Sequence, residues 1–402
     1  MKPIVKTVGI AFSLSCFILP VYAQNATMYF MDHSPQNILL NPAFSPNVKF
    51  YLTAGGTSFN VYNSGFNFKE FQDFVDNLGS EEYNPDEFIH SIGEYNKLRS
   101  DIQANLFSIG LKLNKKTYLS VALSMNSLTE LRAASKIAYL LTDFNDLSTS
   151  TFPLTIDGID LKTNNHLSFG FTYSRKITEH LSLGISPHLN LNLVGINTRN
   201  LSYTVNRDQS DYDNIEYKTS ISGEATLGLP FDINPKALNG DILNFDENIF
   251  PDNLRDYSTL SNLLKNKSFS FDIGGTYKLK TWTLSASILN VGSLNWQTNG
   301  YNIQGDGEDI IAKKTDKIAI PLPKKIFVGL SQQFAKRWNL GVLYKNTAYY
   351  WEPEKTATFS LKRKLRQSHF NFIQLYSRLK IQRFWGGPEN KNSFRLRHIF
   401  CQ

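Results

Sequence analysis

Apolar and polar residues alternate along several long stretches of the chain, and the alternating stretches come in pairs. A period of two places successive side chains on opposite faces of a β-strand, so each stretch predicts a strand with one apolar and one polar face. Only about two to six residues separate the members of a pair, which predicts hairpins. The pairs are residues 105–113 with 118–126, 167–174 with 181–193, 269–279 with 282–288, and 326–334 with 338–344.

The predicted strands are about 7 to 13 residues long, and those of about 9 or more suit a tilted crossing of a bilayer, whereas strands of soluble proteins average about 5 or 6. Long connections (residues 128–165, 195–267 and 292–325) separate the pairs. Short turns at one end and long loops at the other are typical of membrane barrels. We therefore predict an all-β fold, a transmembrane antiparallel β-barrel of roughly 12–14 strands. Further strands are predicted at 48–54, 58–62, 201–205, 215–221 and 294–303, and short helical segments in loops or lumen at 68–78 and 128–141.

In such a barrel the apolar face meets lipid and the polar face lines the lumen. The chain contains 29 Phe and 19 Tyr, which suits an apolar outer surface with aromatic girdles. The lumen-facing candidates with charge or titratable chemistry are Lys112, His188, Asp272 and Lys278. The girdle candidates are Tyr173, Tyr277, Trp282, Trp338 and Tyr344.

Residues 1–23 have the pattern of a secretory signal peptide. Lys2 and Lys6 precede an apolar stretch, and Val21-Tyr22-Ala23 offers small residues at the cleavage site. A lipoprotein signal that uses Cys16 is the alternative. Residues 24–47 then form an N-terminal segment that we place in the lumen, and residues 48–361 form the barrel.

The net charge of +7 is concentrated in residues 362–402, which hold ten Lys and Arg residues and a single acid, Glu389. The alternating pattern stops where this tail begins. Our hypothesis is that the tail is out-of-frame sequence that replaces the last strands. The alternative is a genuine basic tail in the periplasm or at the surface.

The sequence predicts neither an enzyme nor a cofactor or metal site. It contains no HExxH or Gly-x-Ser-x-Gly pattern, and the acidic stretch 305–309 lacks EF-hand spacing. A lumen hydrolase that uses His188 would need a serine and an acid that the sequence alone does not identify. An exported protein meets little nucleic acid, so we expect no nucleic-acid partner.

The mature N-terminus resembles a known group of proteins. Met31-Asp32-His33, then Asn41-Pro42-Ala43-Phe44, then Lys49 to Leu52 are similar to the start of an uncharacterised family of outer-membrane barrels from Bacteroides-like bacteria. An Asn-Pro-Ala element also recurs in FadL-type transporters and in the PorV and PorP barrels of type IX secretion. The resemblance extends to about residue 360 and implies a FadL-like barrel of 14 strands with its N-terminal segment in the lumen.

We therefore expect an outer-membrane protein that contacts lipid and the barrel-assembly machinery. The first function that we predict is the passage of hydrophobic or small amphipathic solutes. The alternative is an assembly barrel that anchors exported protein partners, as in type IX secretion, and an outer-membrane hydrolase is the second alternative.

Overall fold

The computed structural model describes residues 28–31, 34–65, 89, 93–141, 151–211, 214–232, 260–307, 309–315, 317–335, 338–363, 374–380 and 397–399. These residues form one antiparallel sheet of 17 strands. The strands are β1 Phe50–Ala54, β2 Thr57–Asn63, β3 Tyr95–Lys112, β4 Thr117–Ala134, β5 Leu154–Lys176, β6 Leu181–Asp211, β7 Asn214–Gly228, β8 Lys267–Leu279, β9 Trp282–Trp296, β10 Gly300–Gly307, β11 Asp309–Thr315, β12 Ile318–Pro321, β13 Lys325–Ala335, β14 Trp338–Thr347, β15 Glu354–Arg363, β16 Gln374–Lys380 and β17 Arg397–Ile399.

The wall of the barrel is a ladder of antiparallel neighbours. Both β1 and β2 pair with β3, and the ladder continues through β4, β5, β6, β8, β9, β13, β14, β15, β16 and β17. Short turns join β3 to β4, β5 to β6, β8 to β9 and β13 to β14, and they define the short-turn end of the barrel. Within the described ranges, no helix is long and apolar enough to span a membrane.

The helical segment that we predicted at residues 128–141 is half wrong. Residues up to Ala134 continue strand β4, and a 3-10 helix begins only at Ser135. The strand was not predicted here because Glu130 and Arg132 are charged, and charged residues are not expected in a buried strand. In the structure the Glu130 carboxylate points into the lumen, where it accepts a hydrogen bond from the backbone N–H of Tyr350. The other predicted helix, at 68–78, lies outside the described residues.

The two faces of the wall reverse the distribution found in soluble proteins, because the apolar side chains are exposed and the polar ones are buried. This arrangement suits lipid outside and a polar interior. The exposed apolar residues include Phe107, Ile109, Leu111, Phe169, Phe171, Leu183, Ile185, Phe269, Phe271, Ile273, Leu284, Ile288, Val328, Leu330, Leu340 and Phe359. The buried polar residues include Ser108, Ser120, Ser168, Thr172, Ser174, Ser186, Asn190, Asn192, Ser268, Ser270, Thr276, Ser285, Ser287, Thr358 and Ser360.

Strand β6 is 31 residues long and belongs to two parts of the sheet. Its first part, up to Leu191, pairs with β8, and its second part, from Gly195, pairs with β7. Strand β7 pairs in turn with β10, and β10 with β11. These strands extend the sheet beyond the end opposite the short turns, and we name β7, β10, β11 and the second part of β6 the outer extension.

A buried asparagine connects three strands at the place where the sheet divides into the wall and the outer extension. The Asn266 Oδ1 atom accepts hydrogen bonds from the backbone N–H groups of Gln297 and Thr298 at 3.0 and 2.9 Å. Its Nδ2 atom donates to the carbonyl oxygen of Leu229 at 3.3 Å. One side chain therefore connects the start of β8 with the ends of β7 and β9.

Candidate functional site

The lumen contains the N-terminal segment, which we define as residues 28–31 and 34–46. A 3-10 helix, Pro35–Leu39, leads into the Asn-Pro-Ala motif. Asn41 is fully buried, and its Nδ2 atom donates to the carbonyl oxygens of Gly275 at 3.4 Å and Ala286 at 3.2 Å. Its Oδ1 atom accepts the backbone N–H of Ala43 at 2.9 Å, which is the Asx turn that such a residue favours. The motif is thus a turn whose side chain is hydrogen-bonded to the wall.

Two glycines provide the space for this turn. Gly184 of β6 and Gly274 of β8 are direct partners in the ladder. A Cβ atom at Gly184 would lie 2.1 Å from the carbonyl oxygen of Pro42, and one at Gly274 would lie 2.0 Å from the Asn41 Oδ1 atom. Any other residue would collide with the turn, so the pair forms a seat for the motif.

Two serines satisfy the carbonyl groups that flank the turn. The Ser287 hydroxyl donates to the carbonyl oxygen of Leu40 at 2.7 Å, and the Ser174 hydroxyl donates to that of Ala43 at 3.2 Å. The hydroxyl oxygens of Ser45 and Ser174 also lie 3.2 Å apart. Side chains of the wall, rather than strand pairing, therefore hold this part of the segment.

The segment also packs on apolar side chains of the wall. Tyr29 and Leu40 form a buried cluster with Leu289, Phe327 and Leu343. The rings of Tyr29 and Phe327 stack with their centroids 5.6 Å apart. Hydroxyl-bearing and apolar side chains therefore line the lumen together at this height.

A chain of polar side chains lies on the wall, further from the short-turn end. The His188 Nε2 atom lies 2.9 Å from the Asp272 Oδ2 atom, and the Ser168 hydroxyl lies 3.2 Å from His188 Nδ1. The backbone N–H of Asn290 donates to Asp272 Oδ1 at 2.7 Å. Gly170 leaves room for the imidazole, since a Cβ there would lie 2.7 Å from His188 Nδ1. The chain links β5, β6, β8 and β9 on the inner face.

Residues 348–353, which connect β14 to β15, close the other end of the lumen together with the start of β15. The Arg99 guanidinium of β3 lies 2.6 Å from the Glu354 carboxylate and 3.6 Å from the centre of the Tyr349 ring. The Tyr349 hydroxyl donates to Asp101 at 2.7 Å, and Lys325 of β13 lies 3.5 Å from the same carboxylate. These contacts join distant strands across the lumen, and we name them the outer closure.

Tyr350 extends the outer closure to β4 and β5. Its backbone N–H donates to the Glu130 carboxylate at 2.9 Å, and its hydroxyl donates to the Pro321 carbonyl at 2.9 Å while it accepts from Asn164 at 2.6 Å. Burial raises the pKa of Tyr350 to about 12, and it raises the pKa of Tyr349 well above its ordinary value. Both hydroxyls therefore keep their protons and act as donors at neutral pH.

The predicted site residues fall in different places. His188 and Asp272 point into the lumen and contact each other. Lys112 and Lys278 share the inner face of their strands with Gly110 and Thr276, but they are exposed at the short-turn end. The girdle candidates Tyr277, Trp282 and Tyr344 are exposed on the outer face, and Tyr173 and Trp338 are half-buried there.

Sequence reasoning missed Ser168 as a partner of His188, and it missed Arg99, Tyr349 and Tyr350. No sequence spacing indicates these contacts, because Arg99 and Glu354 are 255 positions apart. The sequence motif alone identified Pro42, Ala43 and Phe44. The two glycines that make room for the turn were not identified, because small residues are common on the polar faces of these strands.

The contacts link Ser168, His188 and Asp272 in the same order as the nucleophile, base and acid of a hydrolase. Their surroundings can therefore be compared with what the hydrolase alternative requires. Ser168 is only 6% exposed. Its strand pairs with β4 on one side and β6 on the other, so the ladders use the backbone N–H groups that an oxyanion would need. The arrangement therefore fits a rigid wall better than a nucleophile. Within the described parts of the chain, no cluster of His, Cys, Asp and Glu could hold a metal ion.

Comparison with known proteins gives a family and a set of similar structures. A family model described as a family of unknown function (DUF5723) matches residues 42–319. No curated protein matches the chain. The toluene transporter TbuX of Ralstonia pickettii is similar at 6% identity, with 84% of this chain and 74% of that chain covered and a TM-score of 0.39. The toluene transporter TodX of Pseudomonas putida is similar at 10% identity, with 87% and 88% covered and a TM-score of 0.39. The monoaromatic hydrocarbon channel CymD is similar at 8% identity, with 87% of this chain and 89% of that chain covered and a TM-score of 0.38.

Proposed function

The chain belongs to this family of unknown function, and from that premise we propose that it is an outer-membrane β-barrel that passes hydrophobic or small amphipathic solutes. The N-terminal segment closes the lumen near the short turns, and the outer closure blocks the other end. Passage then requires that each closure moves in turn. Both are held by side chains, which is a weaker attachment than a strand in the ladder.

One observation carries the proposal, namely the mixed polar and apolar lining of the lumen around the N-terminal segment. Tyr29 and Leu40 cover an apolar surface formed by Leu289, Phe327 and Leu343. Ser174 and Ser287 donate hydrogen bonds to carbonyl oxygens of the same segment. When the segment leaves, an apolar surface and a row of hydroxyl groups line the same space. A molecule with an apolar body and a small polar group has matching surfaces for both.

The experiment is to fix the segment in place with a reversible covalent bond. The hydroxyl oxygens of Ser45 and Ser174 are 3.2 Å apart, so Ser45→Cys and Ser174→Cys bring two thiols within reach of a disulfide. Cys401 is replaced by Ser so that no other thiol competes in the mature chain. Uptake of a radiolabelled long-chain alcohol is then measured in cells that lack the wild-type chain.

We expect oxidation to reduce uptake by about tenfold, and a reductant to restore it, because only the double-cysteine chain is pinned. The matched controls are the two single-cysteine chains, which should respond to neither treatment. Equal uptake by the oxidised and reduced double-cysteine chains would show that solute does not pass the N-terminal segment.

The outer extension favours the assembly barrel as a second candidate. It extends the sheet beyond the end opposite the short turns, and β11 is paired with β10 alone as far as the described residues show. An edge of this kind is where a partner strand adds to a sheet. Pull-down of the intact chain from solubilised outer membranes tests this candidate, with a chain that carries Ile311→Pro in β11 as the control. A partner that is lost with the proline would support assembly, and recovery of the same proteins with both chains would count against it.

A further inference from the structure

Three neighbouring side chains on the inner wall each hold a polar atom that has no hydrogen-bond partner in the described structure. They are Asn190 and Asn192 of β6, whose Oδ1 atoms are unpaired, and His166 of β5, whose Nδ1 atom is unpaired. All three residues are more than nine-tenths buried, with exposed fractions of 1%, 0% and 6%. His166 and Asn192 are direct ladder partners, and so are Ser168 and Asn190. We name the two asparagine carbonyl oxygens the acceptor patch, and the His166 nitrogen beside them donates or accepts according to its tautomer.

The polarity of the patch is fixed at Asn192. Its Nδ2 atom donates to the carbonyl oxygen of Asn295 at 2.9 Å and to the Ser268 hydroxyl oxygen at 2.9 Å. A backbone carbonyl only accepts hydrogen bonds, so the amide nitrogen must face Asn295. The unpaired atom is therefore the carbonyl oxygen, which needs a donor from elsewhere.

Charges around the patch restrict the donor that fits. The Asp272 carboxylate, held by His188, disfavours a second carboxylate on this wall. An ammonium group would lose its hydration shell among side chains that are at most 6% exposed, so a cation is disfavoured as well. A neutral hydroxyl group donates one hydrogen bond and accepts others without adding charge.

An apolar surface lies beside the acceptor patch. Leu294 and Trp296 flank the Asn295 carbonyl to which Asn192 is bonded, and both are fully buried. They form a cluster with Ile318, Ile320 and Leu322. A solute whose hydroxyl reaches Asn192 thus has apolar side chains next to its body.

We propose that the acceptor patch binds the hydroxyl group of an otherwise apolar solute, so that the barrel selects alcohols. This inference rests on the proposed function, because it names the class of solute that the lumen takes. It predicts discrimination against a hydrocarbon and a carboxylate that have the same body.

The test is calorimetric titration of the purified full-length barrel with cyclohexanol, methylcyclohexane and cyclohexanecarboxylate. We expect cyclohexanol to bind about tenfold more tightly than the other two. Asn192→Leu should abolish this preference, because leucine keeps the volume of the side chain and removes the acceptor. Asn192→Asp keeps an acceptor and should retain cyclohexanol. Ser120→Ala is the matched control, since Ser120 lies on the inner face of β4 and is paired with Tyr51.

Heat-modifiable gel mobility shows which variants have folded, and the comparison of the three solutes in the wild-type barrel tests the inference even if the leucine variant does not fold. Equal affinity for cyclohexanol and methylcyclohexane, or an unchanged preference in a folded Asn192→Leu barrel, would overturn the inference and leave only water at the patch. The proposed function would still stand if the disulfide between the cysteines at positions 45 and 174 reduces uptake. If pinning has no effect on uptake, the proposed function fails whichever solute binds.

Discussion

Gly184 and Gly274 face each other across the β6–β8 ladder, and together they receive the turn at Asn41 and Pro42. The seat exists because neither residue has a Cβ atom. A small change in the wall should therefore act on the N-terminal segment without breaking the ladder.

Replacement of Gly274 by alanine should displace the N-terminal segment. The new Cβ atom would lie 2.0 Å from Asn41 Oδ1, so the turn cannot remain seated. We expect higher ion conductance through the barrel in planar bilayers. The matched control is Gly275→Ala on the outer face, where the nearest atom would be 3.4 Å away in Leu183. Conductance that rises equally in both variants would count against the seat.

Replacement of Asn41 by aspartate should loosen the same segment by a different route. The change keeps the shape but replaces a donor by an acceptor, which then faces the carbonyl oxygens of Gly275 and Ala286. We expect a loss of about 1–3 kcal/mol in the free energy of unfolding, measured with guanidinium in detergent micelles. Gln36→Ala removes an exposed bond of 3.4 Å to Gly55 and should cost less than about 0.5 kcal/mol. A similar loss in both variants would contradict the role of Asn41.

Breaking the buried ion pair of the outer closure should be costly. Arg99 and Glu354 have side chains that are 8% and 5% exposed, so Glu354→Gln leaves a buried guanidinium without its counter-ion. We expect a loss of about 3–5 kcal/mol in the free energy of unfolding.

The chain contains its own control for this prediction. Lys97 and Glu352 form a similar pair, but their side chains are 35% and 47% exposed. Glu352→Gln should cost less than about 1 kcal/mol, because water screens the charges. Equal losses for Glu352→Gln and Glu354→Gln would show that burial does not govern the closure.

The outer closure should weaken at alkaline pH. Burial raises the pKa of Tyr349, so the folded protein holds this proton more tightly than the unfolded chain does. The resulting stabilisation is complete below the ordinary tyrosine pKa of about 10 and is lost as the pH rises above it. Between about pH 8 and about pH 11, the wild-type chain should lose more unfolding free energy than a Tyr349→Phe chain. Identical losses would exclude Tyr349 as the titrating group.

The alternating pattern predicted the hairpins because lipid and lumen impose opposite demands on the two faces of a strand. It also marked His188 and Asp272, since each is a polar residue at an inward position. Their contact depends on the register between β6 and β8, which no local pattern contains. Ser168 was hidden in the same way by the irregularity in the β5–β6 pairing at residues 165–166. The outer closure was not predictable, because residues 348–353 have no periodicity and their partners lie on distant strands.

The division of β6 between the wall and the outer extension has a mechanical consequence. A strand of 31 residues at about 3.3 Å per residue is on the order of 100 Å long. A pull on its outer half acts as shear along one continuous backbone, which passes an irregularity at Asn200 but no loop. The same backbone carries Gly184 beneath the N-terminal segment and Asn192 in the acceptor patch. Tension applied outside the membrane is therefore delivered directly to both.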